Sequence, residues 1–287
     1  MNPAGPAARL HWWSTVLYVP ALYGLGWVAS RPLLVLAPTW RADQMDLVGL
    51  VISMVLLLST LPRRLERLWG VSQPWRQLGV SASAAPLIVQ ALLRGLLKAL
   101  LLLVPLTLLL LLSDQARWLG DLNQATLLNA VALVLGVGFA EELLFRGWLW
   151  GELERLINPQ RALLAQAGLF ALVHPWFRLP GLQALALLGG LVLLGLVLAL
   201  QRRADGGLIW GAVGLHGGLV GGWFALQNGL LELSPAAPSW LVGPGGSTPN
   251  PIGGVAGLVG LGVLLWVRKR WLEASTANPV SDIGQKA

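Results

Sequence analysis

Three ionisable side chains share an otherwise apolar run: Glu141, Glu142 and Arg146 within VGFAEELLFRGW, residues 137–148. A charged side chain at the centre of a bilayer costs at least about 2.5 kcal/mol on insertion scales, so such groups usually pair, face a protein interior and mark function. Residues four apart share one face of a helix, so Glu142 and Arg146 can form an ion pair within one turn. Glu141 lies about 100° further round the helix, and its own neighbour one turn on is Phe145. That leaves Glu141 as an acid without a local partner. A carboxylate set beside an ion pair can accept a proton from water, with the pair as its support.

Histidine supplies complementary chemistry. Of the three histidines, His11 lies at the edge of the first apolar run, where a passive role is expected, whereas His174 ends LFALVHPW and His216 sits in WGAVGLHGGLVGGW. At a rise of about 1.5 Å per residue, Glu141 comes roughly 15 Å from its helix end near Gly151, His174 roughly 20 Å from Arg161 and His216 roughly 14 Å from Gly207. Helices entered from different loops thus bring polar groups to a similar depth, which predicts a shared polar cavity near mid-membrane. One Glu and two His suit a zinc site of the His2Glu type, with an open position for water. They suit equally a metal-free site in which Glu141 deprotonates water while the histidines position it or steady the oxyanion. The HExxH motif of the usual zinc proteases is absent.

The elements that must hold these residues are membrane helices. The 287-residue chain is 55% hydrophobic and only 11% charged, values outside the range of a soluble domain. The fold class expected is all-α, a polytopic transmembrane helical bundle. With about 20 apolar residues needed per crossing, eight spans fall near residues 12–29, 46–61, 97–112, 125–149, 161–177, 182–200, 208–227 and 252–267. Residues 79–98, which carry Arg94 and Lys98, read as an interfacial amphipathic helix leading into the third span. Three regions follow: residues 1–124 hold N-terminal helices with a basic loop, 125–227 a catalytic core, and 228–287 an outer loop, a last helix and a basic tail. The Pro-, Gly- and Ser-rich loop 228–251 is expected to be irregular and the tail after Trp271 frayed. Gly207 and Gly211, then Gly214, Gly218 and Gly222, recur at helical spacing, which lets a neighbouring helix approach closely.

The net charge of +7 comes from basic clusters between apolar runs, so it reports topology, and no nucleic-acid partner is expected. With the N-terminus inside, the inner segments hold Arg9, Arg63, Arg64, Arg67, Arg76, Arg155, Arg161, Arg202, Arg203, Arg268, Lys269, Arg270 and Lys286, against Arg31, Arg41, Arg117 and Arg178 outside. This bias places both termini in the cytoplasm and the protein in the plasma (inner) membrane. The first span lacks an A-x-A-like cleavage site and reads as retained. Absence of cysteine excludes disulfides, thiolate ligands and a cysteine nucleophile. Buried Glu, Arg and His would also suit an ion pathway, but the matching pair of interrupted helices in two halves of the chain is not seen.

EExxxR at Glu141, Glu142 and Arg146, FxxxH at Phe170 and His174, and the later helical His216 resemble, in order and spacing, the motifs of the CAAX protease and bacteriocin-processing family of intramembrane endopeptidases. The likeness covers roughly residues 125 to 225. It implies a membrane-embedded bundle that hydrolyses a peptide bond in a membrane-associated protein or peptide. It also implies that Glu141 and His174 activate water, that His216 acts beside them as ligand or oxyanion donor, and that Glu142, Arg146 and Phe170 give support. Both metalloproteases and glutamate-dependent proteases are described in the family, so zinc held by Glu141, His174 and His216 and a metal-free site stay open. One departure concerns the third motif, which usually continues HxxxN or HxxxD, where this chain has Val220. Either the fourth group is dispensable, or Asn129 or Gln166 replaces it, or the chain keeps the fold as a non-catalytic membrane scaffold or immunity factor.

Overall fold

The computed structural model describes residues 9–36 and 39–269. The tail after Trp271, with Lys286, and the basic residue Arg270 lie outside the described residues. The chain forms two compact units, Met1–Gln77 and Leu78–Ala287.

In the first unit, α1 (Trp12–Ser30) packs against α2 (Ala42–Trp69). They run antiparallel: the Tyr18 and Thr60 hydroxyls meet at 2.7 Å near one end, and Arg31 pairs with Asp46 at 2.6 Å near the other. Small residues let the backbones touch, since a Cβ on Gly26 would lie 2.4 Å from the Gly49 carbonyl oxygen. The second helix extends well past residue 61, the end anticipated from hydropathy. Leu61 and Leu65, fully buried and four apart, carry its apolar face on through the basic stretch. Gly70, in the left-handed conformation with φ 66°, ends it.

The second unit contains α3 (Ala85–Leu112), β1 (Ala116–Trp118), α4 (Gln124–Leu156), α5 (Pro159–Leu172), α6 (Gly181–Ala204), α7 (Trp210–Ala225), β2 (Leu231–Leu233) and α8 (Val255–Val267). Every anticipated span overlaps a helix, but the fifth, expected to reach residue 177, ends at Leu172 because Pro175 stops it. Among the described residues five are long and apolar enough to cross a membrane, while α5, α7 and α8 have 14, 16 and 13 residues. The protein is therefore an all-α polytopic bundle.

Residues 79–98 do not form a separate interfacial helix. Pro86 lies in the first turn of α3, which then runs unbroken to Leu112. Its two basic residues are held by the end of α6: Arg94 donates to Asp205 at 2.8 Å and Lys98 to Gln201 at 2.7 Å. The outer loop is also more ordered than its composition suggests. Its first residues form β2, antiparallel to β1 with Arg117 opposite Glu232, and the Trp223 indole donates to the Pro249 carbonyl at 2.8 Å.

Glycines seat α7 between two neighbours. A Cβ on Gly214 would lie 2.2 Å from the Leu92 carbonyl of α3, and one on Gly217 would lie 2.2 Å from the Val134 carbonyl of α4. The face anticipated from spacing, Gly214, Gly218 and Gly222, meets α3, and a second face, Gly217 and Gly221, meets α4. Gly207 belongs to neither, because it makes the turn before α7 at φ 90°. The fourth helix is not uniform either: π-helical turns at Leu133–Val137 and Leu143–Leu149 bracket a short α-helical stretch, Gly138–Glu142.

Candidate active site

The bracketed stretch of α4 carries Glu141 and Glu142. Single π turns inside α-helices are rare and concentrate where side chains must be re-aimed for function. The ion pair anticipated from i,i+4 spacing is present: Arg146 Nη1 donates to Glu142 Oε1 at 2.9 Å, and both side chains are fully buried. Neighbouring helices complete its environment. Arg146 Nη2 reaches the Gly195 carbonyl on α6 at 3.4 Å, and the guanidinium lies 4.2 Å over the Phe170 ring of α5. The Arg146 backbone carbonyl, inside the second π turn, accepts from the Arg202 guanidinium.

His216 reaches the pair because glycines let α7 lie against α4. Its Nδ1 is 2.9 Å from Glu142 Oε1, so one carboxylate oxygen serves both Arg146 and His216. His174 arrives differently. The residue before a proline is disfavoured in the α conformation, and Pro175 stops α5 so that His174 takes an extended conformation (φ −83°, ψ 154°) just beyond the helix end. Its Nδ1 lies 2.7 Å from the Phe170 carbonyl.

Both histidines turn their other nitrogen towards Glu141. Glu141 Oε2 lies 3.6 Å from His174 Nε2 and 3.9 Å from His216 Nε2. This oxygen is buried and has no hydrogen-bond partner among the described residues. Phe170, itself fully buried, ties the arrangement together, with ring centroids 4.6 Å from His174, 5.6 Å from His216 and 5.2 Å from Phe145. Exposure divides the group: the Glu141 and His174 side chains are 29% and 24% exposed, His216 only 4%. The first two are partly accessible, while His216 is sealed behind them.

The partners assign the tautomers. A carbonyl oxygen and an ionised carboxylate only accept, so Nδ1 donates in both rings and Nε2 of each is the nitrogen turned to Glu141. Polar groups that face one another just beyond hydrogen-bond distance can be joined through a water. These atom types would also suit zinc, yet among the described residues no group of three or more His, Cys, Asp or Glu is arranged to hold a metal ion.

Neither suggested replacement for the missing amide serves the site as anticipated. Asn129 is exposed, roughly 18 Å of helix before Glu141. Gln166 is fully buried but donates to the Leu163 and Gly195 carbonyls at 3.1 and 3.3 Å, on the Arg146 side. Val220 is half-buried one turn beyond His216. Sequence reasoning missed Arg202, because two arginines ending a span look like ordinary cytoplasmic charge. It also missed Gly195, where a Cβ would lie 2.9 Å from the Ala167 Cα.

Comparisons with known proteins bear on both units. Residues 2–73 match a domain of unknown function, DUF8676. Residues 123–221 match the model described as type II CAAX prenyl endopeptidase Rce1-like. No significant match is found among curated proteins or solved structures. The Rce1-like match spans all three motifs and the clustered side chains they supply, so this part of the chain is similar to the type II CAAX prenyl endopeptidases that the model describes.

Proposed function

We propose that the chain is an intramembrane endopeptidase that hydrolyses a peptide bond in a membrane-anchored protein or peptide. The observation that carries this reading is Glu141 Oε2, buried and unpartnered, 3.6 Å from His174 Nε2 and 3.9 Å from His216 Nε2. A water between Glu141 and His174 donates to both. Glu141 takes one proton as the water oxygen attacks the scissile carbonyl carbon. The tetrahedral oxyanion then needs a donor, a role we give to Nε2 of His216 when that nitrogen carries a hydrogen. Collapse breaks the C–N bond, and the proton held by Glu141 passes to the leaving amine. The new carboxyl group keeps the water oxygen, so the step balances without an added reagent.

The test uses purified protein in liposomes with a membrane-anchored peptide. Glu141→Gln is expected to lower cleavage at least about a hundredfold, the usual scale of a lost general base, with the thermal unfolding temperature unchanged. Wild-type rates in both Glu141→Gln and His174→Ala would refute the reading. Elemental analysis belongs to the same experiment: one zinc per chain, lost in His216→Ala, would transfer water activation to a metal.

A second reading is motivated by Val220, which can neither ligate nor donate. On that reading the fold serves as a membrane scaffold or immunity factor that binds its partner without turnover. Peptide cleavage that depends on Glu141 would eliminate it. The basic-loop bias supports a plasma (inner) membrane location with both termini in the cytoplasm.

A further inference from the structure

The first unit holds a feature that peptide hydrolysis does not use. Between α1 and α2 lies a cavity of about 390 Å³ lined by Tyr18, Thr60, Arg63, Arg64, Arg67 and Leu68. Among the described residues three of the lining side chains are arginines and none is a carboxylate, so the cavity selects an anion. Arg63 and Arg67, four apart, share a face of α2 and are exposed. Arg64 is anchored, its guanidinium 4.5 Å over the Tyr18 ring and 3.3 Å from Ser14 Oγ. A planar guanidinium fits phosphate through paired N–H donors, and the Tyr18 and Thr60 hydroxyls, 2.7 Å apart, add polar lining.

The position of the cavity points to the source of that phosphate. Arg63 follows directly on the apolar run of α2, where a span reaches the headgroup layer. On the facing end of α1, Trp12 and Trp13 are 69% and 53% exposed, as in the aromatic belt that marks this depth. Val16 and Leu17, next along α1, are exposed apolar residues suited to acyl chains. Basic clusters beside a membrane helix attract anionic lipids. We infer that this cavity binds the phosphate of an anionic glycerophospholipid whose chains lie along α1.

The full chain, purified in mild detergent and stripped of lipid, is titrated with phosphatidylglycerol or phosphatidylcholine while native mass spectrometry counts bound lipid. Phosphatidylglycerol is expected to bind at least about tenfold more tightly, and the double variant Arg63→Gln with Arg67→Gln to weaken it about thirtyfold, the effect of two basic residues at a membrane surface. Arg41→Gln, an exposed position outside the cavity, should change nothing, and lysine at 63 and 67 should retain most of the binding. Equal affinity of the wild-type protein for the two lipids overturns the inference whether or not the variants fold. So does undiminished binding in the glutamine variant, or displacement of the lipid by an equal concentration of inorganic phosphate, which would mark a soluble-anion site.

Discussion

At the residue scale the candidate site is a division of labour between two adjacent acids. Glu142 is consumed by its supports, Arg146 and His216, each 2.9 Å from the same oxygen. Glu141 keeps Oε2 without a hydrogen-bond partner among the described residues. Removing one member of a buried pair strands the other, which costs about 3–5 kcal/mol, so Arg146→Met is expected to lower the unfolding midpoint sharply and abolish cleavage with it. A thermal melt in detergent checks this against Glu141→Gln, which should unfold like wild type. Phe170 gives a finer test because its ring touches both histidines and carries the Arg146 guanidinium on its face. Phe170→Leu retains volume but removes those ring contacts. It should cut kcat about tenfold or more, as small misplacements of catalytic groups do, and leave KM nearly unchanged in steady-state kinetics.

At the scale of elements, glycine and proline bring the groups together. Glycine at positions 214 and 217 lets backbone meet backbone on both sides of α7, and this approach seats His216 against α4. Gly217→Ala inserts a Cβ 2.2 Å from the Val134 carbonyl, so α7 must move and the His216 to Glu142 contact opens. The expected outcome is a loss of about 1–3 kcal/mol, the usual cost of overpacking, together with loss of cleavage. Gly168→Ala on α5 is the control: nothing lies within 4 Å of the added Cβ, so it should leave activity intact and stabilise by about 0.5–1 kcal/mol, the helix-interior difference between the residues. Both are read from denaturation in detergent and peptide turnover on the same samples.

At the scale of the whole molecule, the absence of cysteine allows topology to be measured cleanly. If both termini are cytoplasmic, single cysteines at Ser234 and Ser72 should behave oppositely in intact cells. Ser234→Cys is expected to react with a membrane-impermeant maleimide from outside, and Ser72→Cys only after permeabilisation. The reverse pattern would invert the orientation and put the Arg63 to Arg67 cluster on the outer side. The two units also match different family models, one of them of unknown function. Lipid binding by the first unit and peptide cleavage by the second are separate proposals, and the lipid titration and the cleavage assay test them independently.

Much of this was legible in the chain itself. A charge inside an apolar run is costly wherever it falls, so Glu141, Glu142 and Arg146 declared themselves, and i,i+4 spacing was enough to pair two of them. Helix positions followed from hydropathy, because a bilayer demands long apolar stretches regardless of packing partners. What the chain alone left open was everything set by groups distant in sequence. The Gly217 contact with Val134, the Phe170 carbonyl on His174 and the Arg202 guanidinium on the Arg146 carbonyl have no local signature, since each joins segments that only folding brings within reach. The π turns of α4 were hidden for the same reason, as no residue pattern distinguishes them from ordinary helix. Sequence therefore determined which groups do not belong in lipid and the helices that carry them. Tertiary structure alone decided that two histidine nitrogens face Glu141, because hydrogen-bond partners fix ring orientation only after the helices have packed.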